Sequence, residues 1–237
     1  MSTTQSRARA VEAMFSSIAR WYDFLNHFLS LGLDITWRKK AAARLGPALA
    51  GGAILDLACG TGDLSIAIAR AGKAALITGG DFSEPMLAIA RAKAARLKLD
   101  GRIILEKADA LNLHYPDGAF DGVTCAFGVR NFADLDLGLS QMARVTKPGG
   151  RLVILEFTTP SNRLAGALYR FYFTRVLPLL GGLISGNRGA YQYLPDTVYA
   201  FPSPPELARR IERAGFGAVE FTPLTFGICG IHSAVKK

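Results

Sequence analysis

The strongest constraint on the fold of this 237-residue chain is the segment AILDLACGTGDL at residues 53–64. It joins a short apolar run to a loop of small residues, and then to a helical pattern of apolar side chains at 64, 66, 67 and 68. This order predicts a strand, a tight turn and a helix. Because glycines let the backbone approach a bound molecule closely, the segment predicts an α/β fold with a ligand at the turn.

Acidic side chains distinguish this loop from one that binds a dinucleotide. The pattern G-x-G-x-x-G places a pyrophosphate at the helix N-terminus, but the third position here is Asp63, whose carboxylate would repel a phosphate. S-adenosylmethionine (SAM) carries an ammonium group and a carboxylate but no phosphate. We therefore predict SAM as the ligand, with Asp56 facing its ammonium group and the loop amides around Gly60 and Gly62 binding its carboxylate. A glycine-rich turn with a capping Asp is the alternative.

Two further acids follow strands of the same predicted sheet. Asp81 comes about 20 residues after the glycine loop, a spacing suited to a carboxylate that accepts hydrogen bonds from both ribose hydroxyls. Asp109 follows the next apolar run and could receive the adenine amino group, with the amide of Ala110 beside the ring; a loop residue without a role is the alternative for Asp109. Ligands of open α/β sheets bind at the carboxyl ends of the strands, so these acids predict one cofactor site.

The remaining sequence continues the alternation of strands and helices. Such alternation predicts a parallel sheet with helices on both faces. The predicted elements are strands at 74–78, 102–106, 120–127 and 151–157, helices at 134–146 and 205–214, a KPGG turn at 147–150, and a final antiparallel hairpin of 218–223 with 230–235.

Length and cysteine content indicate one globular enzyme. A chain of 237 residues can bury a substantial core, and residues 1–237 are predicted to form a single domain. The three cysteines lie far apart without metal-ligand spacing, so we expect free thiols and no metal site. The N-terminal residues lack the apolar core of a signal peptide, which predicts a cytoplasmic location.

The formal net charge of +9 suggests an anionic partner, either nucleic acid or the inner face of a membrane. The chain contains no recognised nucleic-acid motif, so no nucleic acid is expected. Residues 164–184 are long and apolar, but Arg170, Arg175 and Pro178 argue against a spanning helix. We expect an amphipathic pair of short helices at a membrane surface; a buried packing helix with snorkelling arginines is the equal alternative.

Several motifs together resemble the quinone C-methyltransferases of menaquinone and ubiquinone biosynthesis. They are FSSIARWYDFLNHFLSLGLDITWRK, LDLACGTGDL, FGVRN, KPGGRLVILEF and YQYLPDTVYAFPSPPELARRIERAGF, and they extend from about Phe15 to the end. The glycine loop and KPGG are shared by many SAM methyltransferases. The Y-D-x-x-N motif that begins at Tyr22 and the segment 128–131, which ends at Asn131, are shared by far fewer proteins.

The resemblance implies a Rossmann-like α/β fold with a seven-stranded, mostly parallel sheet whose last strand is antiparallel. It implies SAM as the cofactor and a reduced polyprenyl quinone as the substrate. Demethylmenaquinol is favoured over a benzoquinol because the chain is short. Residues 1–45 are expected to form a helical lid, and 160–203 a helical insertion that faces substrate or membrane. The resemblance is compatible with a homo-oligomer and with peripheral association with the inner membrane face.

Family positions imply particular cofactor contacts in this chain. They fall on Thr61, Asp81, Asp109 and Ala110, which agrees with the acids identified from strand order. A further family contact is a serine that corresponds here to Ala126, so that hydroxyl is missing.

The chemistry of ring methylation predicts the catalytic residues. A hydroquinone carbon attacks a methyl group readily only after a phenolic proton is removed, so a cation that steadies the phenolate lowers the barrier. We assign this role to Arg130, with Asn131 and Tyr22 orienting a water or the ring hydroxyl. Asp23 and His27, spaced i, i+4, are one candidate acid–histidine base, and Glu156 at the end of the fifth strand is another.

Two other functions compete with this hypothesis. The chain could methylate a different small molecule on oxygen or carbon. It could also be a basic RNA- or membrane-binding protein that keeps a SAM pocket without catalysis, which salt-sensitive RNA binding would reveal.

Overall fold

The computed structural model describes residues 3–72, 75–160, 166, 171–176 and 188–237. The helices are α1 (Thr3–Leu29), α2 (Leu33–Ala43), α3 (Asp63–Ala71), α4 (Glu84–Arg96), α5 (Leu135–Val145), α6 (Arg188–Ala200) and α7 (Pro204–Arg213). The strands are β1 (Ala53–Leu57), β2 (Leu76–Asp81), β3 (Ile103–Lys107), β4 (Phe120–Ala126), β5 (Thr146–Phe157), β6 (Phe216–Leu224) and β7 (Cys229–Lys236).

The seven strands form one sheet in the order β3-β2-β1-β4-β5-β7-β6. Strands β1 to β5 pair in parallel, and β7 runs antiparallel to both β5 and β6. The predicted mostly parallel sheet with an antiparallel last strand is confirmed. Strand order reverses between β1 and β4, which is where open α/β sheets bind ligands.

Alternate residues of the central strands supply two hydrophobic cores. Ile54 faces the cluster that contains Trp37 of α2 and Ile68 of α3. Its neighbour Leu55 faces the opposite cluster, which contains Leu139 of α5 and residues of α7. Because successive side chains of a strand point to opposite faces, one apolar strand serves both layers. Helices therefore cover both faces of the sheet, as predicted.

Helix α1 packs outside this sandwich. Ile18 and Leu25 form a third, smaller cluster with Val198 of α6. The two helices lie far apart in the sequence, so a separate apolar contact joins the N-terminal helix to the helix that follows the insertion. Both helices line a cavity together with Phe127, which follows β4, and Phe157, which ends β5.

The predicted turn at KPGG is wrong. Strand β5 already begins at Thr146, which pairs with Phe120, and the register then shifts before Gly122 pairs with Arg151. Gly149 has a φ of 77°, in the left-handed region that suits glycine. The glycines thus form an irregularity within the strand rather than a connection before it.

The long apolar segment at 164–184 lies mostly outside the described residues. Its described part includes one π-helical turn, Tyr172–Val176. None of the described helices is both long and apolar enough to cross a bilayer. All three cysteines are buried and free, which confirms the expected free thiols.

Candidate active site

The loop between β1 and α3 turns at two residues whose backbone lies in the left-handed region that favours glycine. Gly60 and Gly62 have φ values of 56° and 83°, and a Cβ on Gly62 would lie 3.1 Å from the Cβ of Ala90. A Cβ on Gly60 would meet no atom within 4 Å, and this residue lines an adjoining cleft. The glycines therefore let the loop turn tightly, and they leave its backbone open to a ligand at Gly60.

Asp81 at the end of β2 is held by two backbone amides. The amide of Gly60 donates to its Oδ2 over 2.7 Å, and the amide of Ser83 donates to its Oδ1 over 2.8 Å. These bonds join the glycine loop to the second strand and fix the orientation of the carboxylate. Asp81 lines the cleft, where its oxygens can also accept hydrogen bonds from a diol.

Asp109 and Ala110 lie beside the same cleft, just after β3. The Oδ1 atom of Asp109 accepts a hydrogen bond from the amide of Leu111 over 2.9 Å, which orients the carboxylate. Asp81 and Asp109 thus end neighbouring parallel strands and face one cavity. The structure brings together the two acids that strand order predicted.

The charged side chains that line the cleft are acidic. They are Asp81 and Asp109; among the described residues around the cleft there is no lysine or arginine. A phosphate would find no cationic partner here, whereas the ribose hydroxyls and the adenine amino group of SAM would find two carboxylates as hydrogen-bond acceptors. SAM therefore fits this cleft. Apolar contacts come from Leu57, Phe82, Met86, Ala108, Leu111 and Ala126.

Asp56, Thr61 and Gly62 do not line the cleft. Asp56 is 1% exposed; it accepts hydrogen bonds from the hydroxyls of Ser65 over 2.5 Å and Thr124 over 3.1 Å. Burial raises the pKa of Asp56 to about 6 despite these bonds. Contact between Asp56 and an ammonium group stays a prediction. Its buried hydrogen bonds with Ser65 and Thr124 favour a role in holding the loop in place.

A second cavity adjoins the cofactor cleft. Tyr22 and Phe127 line both spaces. Aromatic side chains from distant parts of the chain give this second cavity flat apolar walls that suit a planar ring. They are Tyr22, Trp37, Phe127, Phe157 and Tyr193, with Met14, Ile18 and Leu194 completing the apolar lining.

Arg130 borders this second cavity and is paired with Glu156. Its Nη1 lies 2.7 Å from Oε1 of Glu156, and also donates to the carbonyl of Phe127 over 2.5 Å. Both side chains are deeply buried. Burial raises the pKa of Glu156, although the Arg130 charge opposes the shift. The two predicted candidates form one unit, in which Glu156 holds the guanidinium in place.

Asn131 and Tyr22 lie close to the junction of the two cavities. The Tyr193 hydroxyl donates to Oδ1 of Asn131 over 3.1 Å, and Nδ2 of Asn131 donates to the carbonyl of Phe127 over 3.4 Å. Burial raises the pKa of Tyr22, although Arg130 and Arg38 both lower it. Tyr22 is therefore protonated at neutral pH, and its hydroxyl is a hydrogen-bond donor.

The predicted Asp23–His27 pair is wrong. Asp23 binds Lys93 and Thr61, whereas His27 lies 2.8 Å from Asp34. Each side chain has a partner on another element, and these tertiary contacts override the i, i+4 proximity along the helix. The pair is thus no candidate base.

Sequence reasoning missed Trp37, Arg38, Phe157 and Tyr193 as lining residues of the second cavity. Trp37 and Arg38 lie within the resembling segment that ends in TWRK, and Tyr193 lies within YQYLP. The motifs contained the signal. Only the packing of α2 and α6 shows which of their residues face inward.

Solved structures confirm the fold. A SAM-dependent methyltransferase from Thermotoga maritima, described as a possible histamine N-methyltransferase, superposes with a TM-score of 0.65 at 20% identity, covering 95% of this chain and 99% of the other. The cyclase SpnF superposes with a TM-score of 0.71 at 20% identity, covering 97% and 96%. At such identities the likeness shows the architecture alone.

Two relatives are much more similar to this chain in sequence than these solved structures are. The demethylmenaquinone methyltransferase of Thermus thermophilus is 53% identical over 219 residues, covering 92% of this chain and 98% of that protein. The ubiquinone/menaquinone biosynthesis C-methyltransferase UbiE of Geobacter sulfurreducens is 47% identical over 231 residues, covering 97% and 90%.

Fold, cleft and relatives together define a SAM-dependent methyltransferase. The model of the ubiE/COQ5 methyltransferase family matches residues 2–236, so the chain belongs to that family.

Proposed function

We propose that this enzyme transfers a methyl group from SAM to a ring carbon of a reduced polyprenyl quinone, with demethylmenaquinol as its acceptor. The observation that carries the proposal is the pair of adjoining cavities that share Tyr22 and Phe127. A cofactor in the first and an aromatic ring in the second would meet at these two residues. The names of the Thermus thermophilus relative and of a 51% identical one from Deinococcus radiodurans support this acceptor.

Asp81, Asp109, Gly60 and Ala110 are the residues we assign to the cofactor. The carboxylate of Asp81 is oriented by two amides and can accept from both ribose hydroxyls. Asp109 can accept from the adenine amino group, and Ala110 supplies an amide beside the ring. The cofactor supplies a sulfonium-bound methyl group, which is electrophilic.

Arg130 lowers the barrier by stabilising negative charge on the acceptor. The phenolic proton would pass to a water molecule, the ring carbon ortho to that oxygen would take the methyl group, and the sulfur would keep the bonding electrons as a neutral thioether. The same ring carbon would then give its hydrogen to water as a proton, which restores aromaticity. A buried guanidinium fixed by Glu156 favours the phenolate over the neutral phenol without reorganisation, so a larger fraction of the bound acceptor is in the form that attacks.

Tyr22 and Asn131 orient the ring in this scheme. A protonated Tyr22 hydroxyl can donate to a ring oxygen, because burial keeps its pKa high. Asn131 is fixed by Tyr193 and by the carbonyl of Phe127. Holding the ring carbon in line with the methyl group supplies much of the remaining acceleration.

A comparison of two acceptors tests the proposal. The enzyme is incubated with SAM and either reduced demethylmenaquinone or a reduced polyprenyl benzoquinone that lacks the ring methyl group. We expect a higher kcat/KM for the naphthoquinol. A preference for the benzoquinol would assign the enzyme to ubiquinone biosynthesis, and activity on neither quinol would refute the proposal.

We further propose that the enzyme works from the cytoplasm, bound peripherally to the inner membrane face, because a polyprenyl acceptor resides in lipid. The net charge of +9 favours contact with anionic headgroups. Residues 1–45 would form the lid over the site, and 160–203 the insertion that faces the membrane. Co-sedimentation with anionic vesicles tests the association. Light scattering tests whether the enzyme is a homo-oligomer.

A further inference from the structure

Polar contacts of Asp23, the residue after Tyr22, join α1 to the loop between β1 and α3, which we call the cofactor loop. Asp23 accepts a hydrogen bond from the Thr61 hydroxyl at Oδ1, and its Oδ2 lies 2.8 Å from the ammonium group of Lys93. Lys93 on α4 also pairs with Asp63, the first residue of α3. The side chains of Lys93, Asp63 and Asp23 are 16%, 19% and 28% exposed, so these contacts are partly shielded from water.

The contacts continue toward α2 through His27. Asp63 lies 3.7 Å from Nε2 of His27, whose Nδ1 lies 2.8 Å from Asp34, and Asp34 pairs with Arg38. The two ring nitrogens of His27 face different carboxylates, so the imidazole bridges Asp34 and Asp63. The cluster connects the first four helices to each other.

Helix α1 forms one wall of the cofactor cleft. Val11 and Tyr22 line that cleft, and the hydroxyl of Ser16 lies 3.0 Å from that of Ser83, next to Asp81. Movement of α1 away from the loop would therefore open the cleft and displace Tyr22 at the same time. The contacts of Asp23 oppose such a movement.

Thr61 lies on the cofactor loop, but its side chain is directed to helix α1. The residue is 2% exposed, and its hydroxyl donates to Asp23. A hydroxyl bonded in this way has no second proton to give to a ligand. Its contact with α1 links the loop that surrounds the cofactor to the helix that covers it.

We propose that Asp23 and Lys93 hold α1 closed over the bound cofactor, and that Thr61 acts on cofactor affinity through Asp23 rather than by direct contact. All three are then positioning residues. When the contacts are removed, the closed state is less populated, and the apparent Kd rises in inverse proportion. The proposal concerns the cofactor alone and does not depend on which acceptor the enzyme uses.

Calorimetric titration with SAM tests the proposal directly. Lys93→Met and Asp23→Ala should each raise the Kd for SAM about tenfold, the effect of losing one partly shielded charged hydrogen bond. Arg96→Met removes a charge from the exposed side of the same helix and should leave the Kd unchanged. Thr61→Ser keeps the hydroxyl and should bind like the parent, whereas Thr61→Val should resemble Asp23→Ala.

A double-mutant cycle separates the indirect role of Thr61 from a direct contact. Thr61→Val should weaken SAM binding in the parent but have little further effect in the Asp23→Ala background. An equal loss in both backgrounds would assign Thr61 to the cofactor itself and overturn the proposal. Unchanged affinity in Lys93→Met would also overturn it.

Amide exchange gives a readout that a purely structural role would not move. SAM should protect the amides of α1 in the parent, and this protection should be smaller in Lys93→Met while the exchange of the central strands stays the same. Asp23→Leu keeps the branched shape of the side chain and has no acceptor for Thr61, so the cycle can be repeated with it if Asp23→Ala does not fold. Equal SAM-induced protection of α1 in parent and Lys93→Met would contradict the closure.

Discussion

The guanidinium of Arg130 lies 2.7 Å from the carboxylate of Glu156, in a buried ion pair at the wall of the second cavity. The two side chains are 5% and 3% exposed. Removing one partner of such a pair leaves an uncompensated buried charge, whereas removing both can be nearly neutral. This asymmetry separates the effect of Arg130 on stability from its effect on catalysis.

Arg130→Met should be both unstable and slow. We expect a loss of about 3 kcal/mol or more in the free energy of unfolding, because Glu156 is left unpaired. Turnover should fall about 100-fold or more, as when an oxyanion-stabilising donor is removed, while the Kd for SAM changes little. Urea unfolding, steady-state kinetics and calorimetry measure the three quantities.

The double variant Arg130→Met/Glu156→Met is the matched control. It removes both charges, so stability should return toward that of the parent while turnover stays low. If turnover recovers together with stability, Arg130 serves the fold alone and its assignment to the phenolate is refuted.

Asp81→Ala should weaken SAM binding without affecting the binding of the acceptor. The carboxylate is the acceptor for two backbone amides and the proposed partner of the ribose, so we expect the Kd for SAM to rise about tenfold to 100-fold. Asp100→Ala, at an exposed position, is the control. An unchanged Kd by calorimetry would remove Asp81 from the cofactor site.

Asp56 should make stability depend on pH between about 4 and 6. Its pKa is raised from 3.8 to about 6 by burial, so the folded state binds the proton more tightly than the unfolded chain does. The contribution of Asp56 to the free energy of unfolding therefore falls as pH rises through this window, by about 3 kcal/mol in total, and is constant above it.

Asp56→Asn removes this titration while keeping a side chain that can bond to Ser65 and Thr124. The stability of the variant relative to the parent should rise from pH 4 to pH 7. Urea unfolding of both proteins at several pH values measures the difference, with Asp100→Asn as the exposed control. A difference that is the same at every pH would contradict the raised pKa.

Tyr193→Phe should lower turnover moderately. It removes the hydroxyl that donates to Asn131, so Asn131 keeps its contact with Phe127 but becomes less well oriented. We expect kcat to fall about tenfold, equivalent to about 1.4 kcal/mol, with the Kd for SAM unchanged. Tyr199→Phe, at an exposed position on the same helix, should retain parental kcat. Equal kcat values for Tyr193→Phe and the parent would exclude this role.

The cofactor half of the site was predictable because it is built from local sequence. Asp81 and Asp109 each follow a strand of a parallel sheet, and the sheet brings successive strand ends to one edge. Periodicity and the glycine loop are sufficient to locate them. The KPGG strand start was missed because glycine and proline usually mark turns, and the pairing of Thr146 with Phe120 is a tertiary contact.

The acceptor half could not be predicted in the same way. Its walls come from α1, α2 and α6, whose packing depends on contacts between residues more than 100 positions apart, such as Ile18 and Val198. Helical spacing also misled, because Asp23 and His27 each bind a different element. The family resemblance named Tyr22, Arg130 and Asn131, but the geometry of their partners required the structure.

The central claim is methylation of a quinol ring at carbon, and mass spectrometry of one product tests it most directly. The enzyme is supplied with SAM carrying a trideuterated methyl group and with reduced demethylmenaquinone. We predict a product that carries the trideuterated methyl group on the ring carbon and that oxidises to the labelled menaquinone. A label on a phenolic oxygen, which would block that oxidation, or an unlabelled quinone would contradict the account.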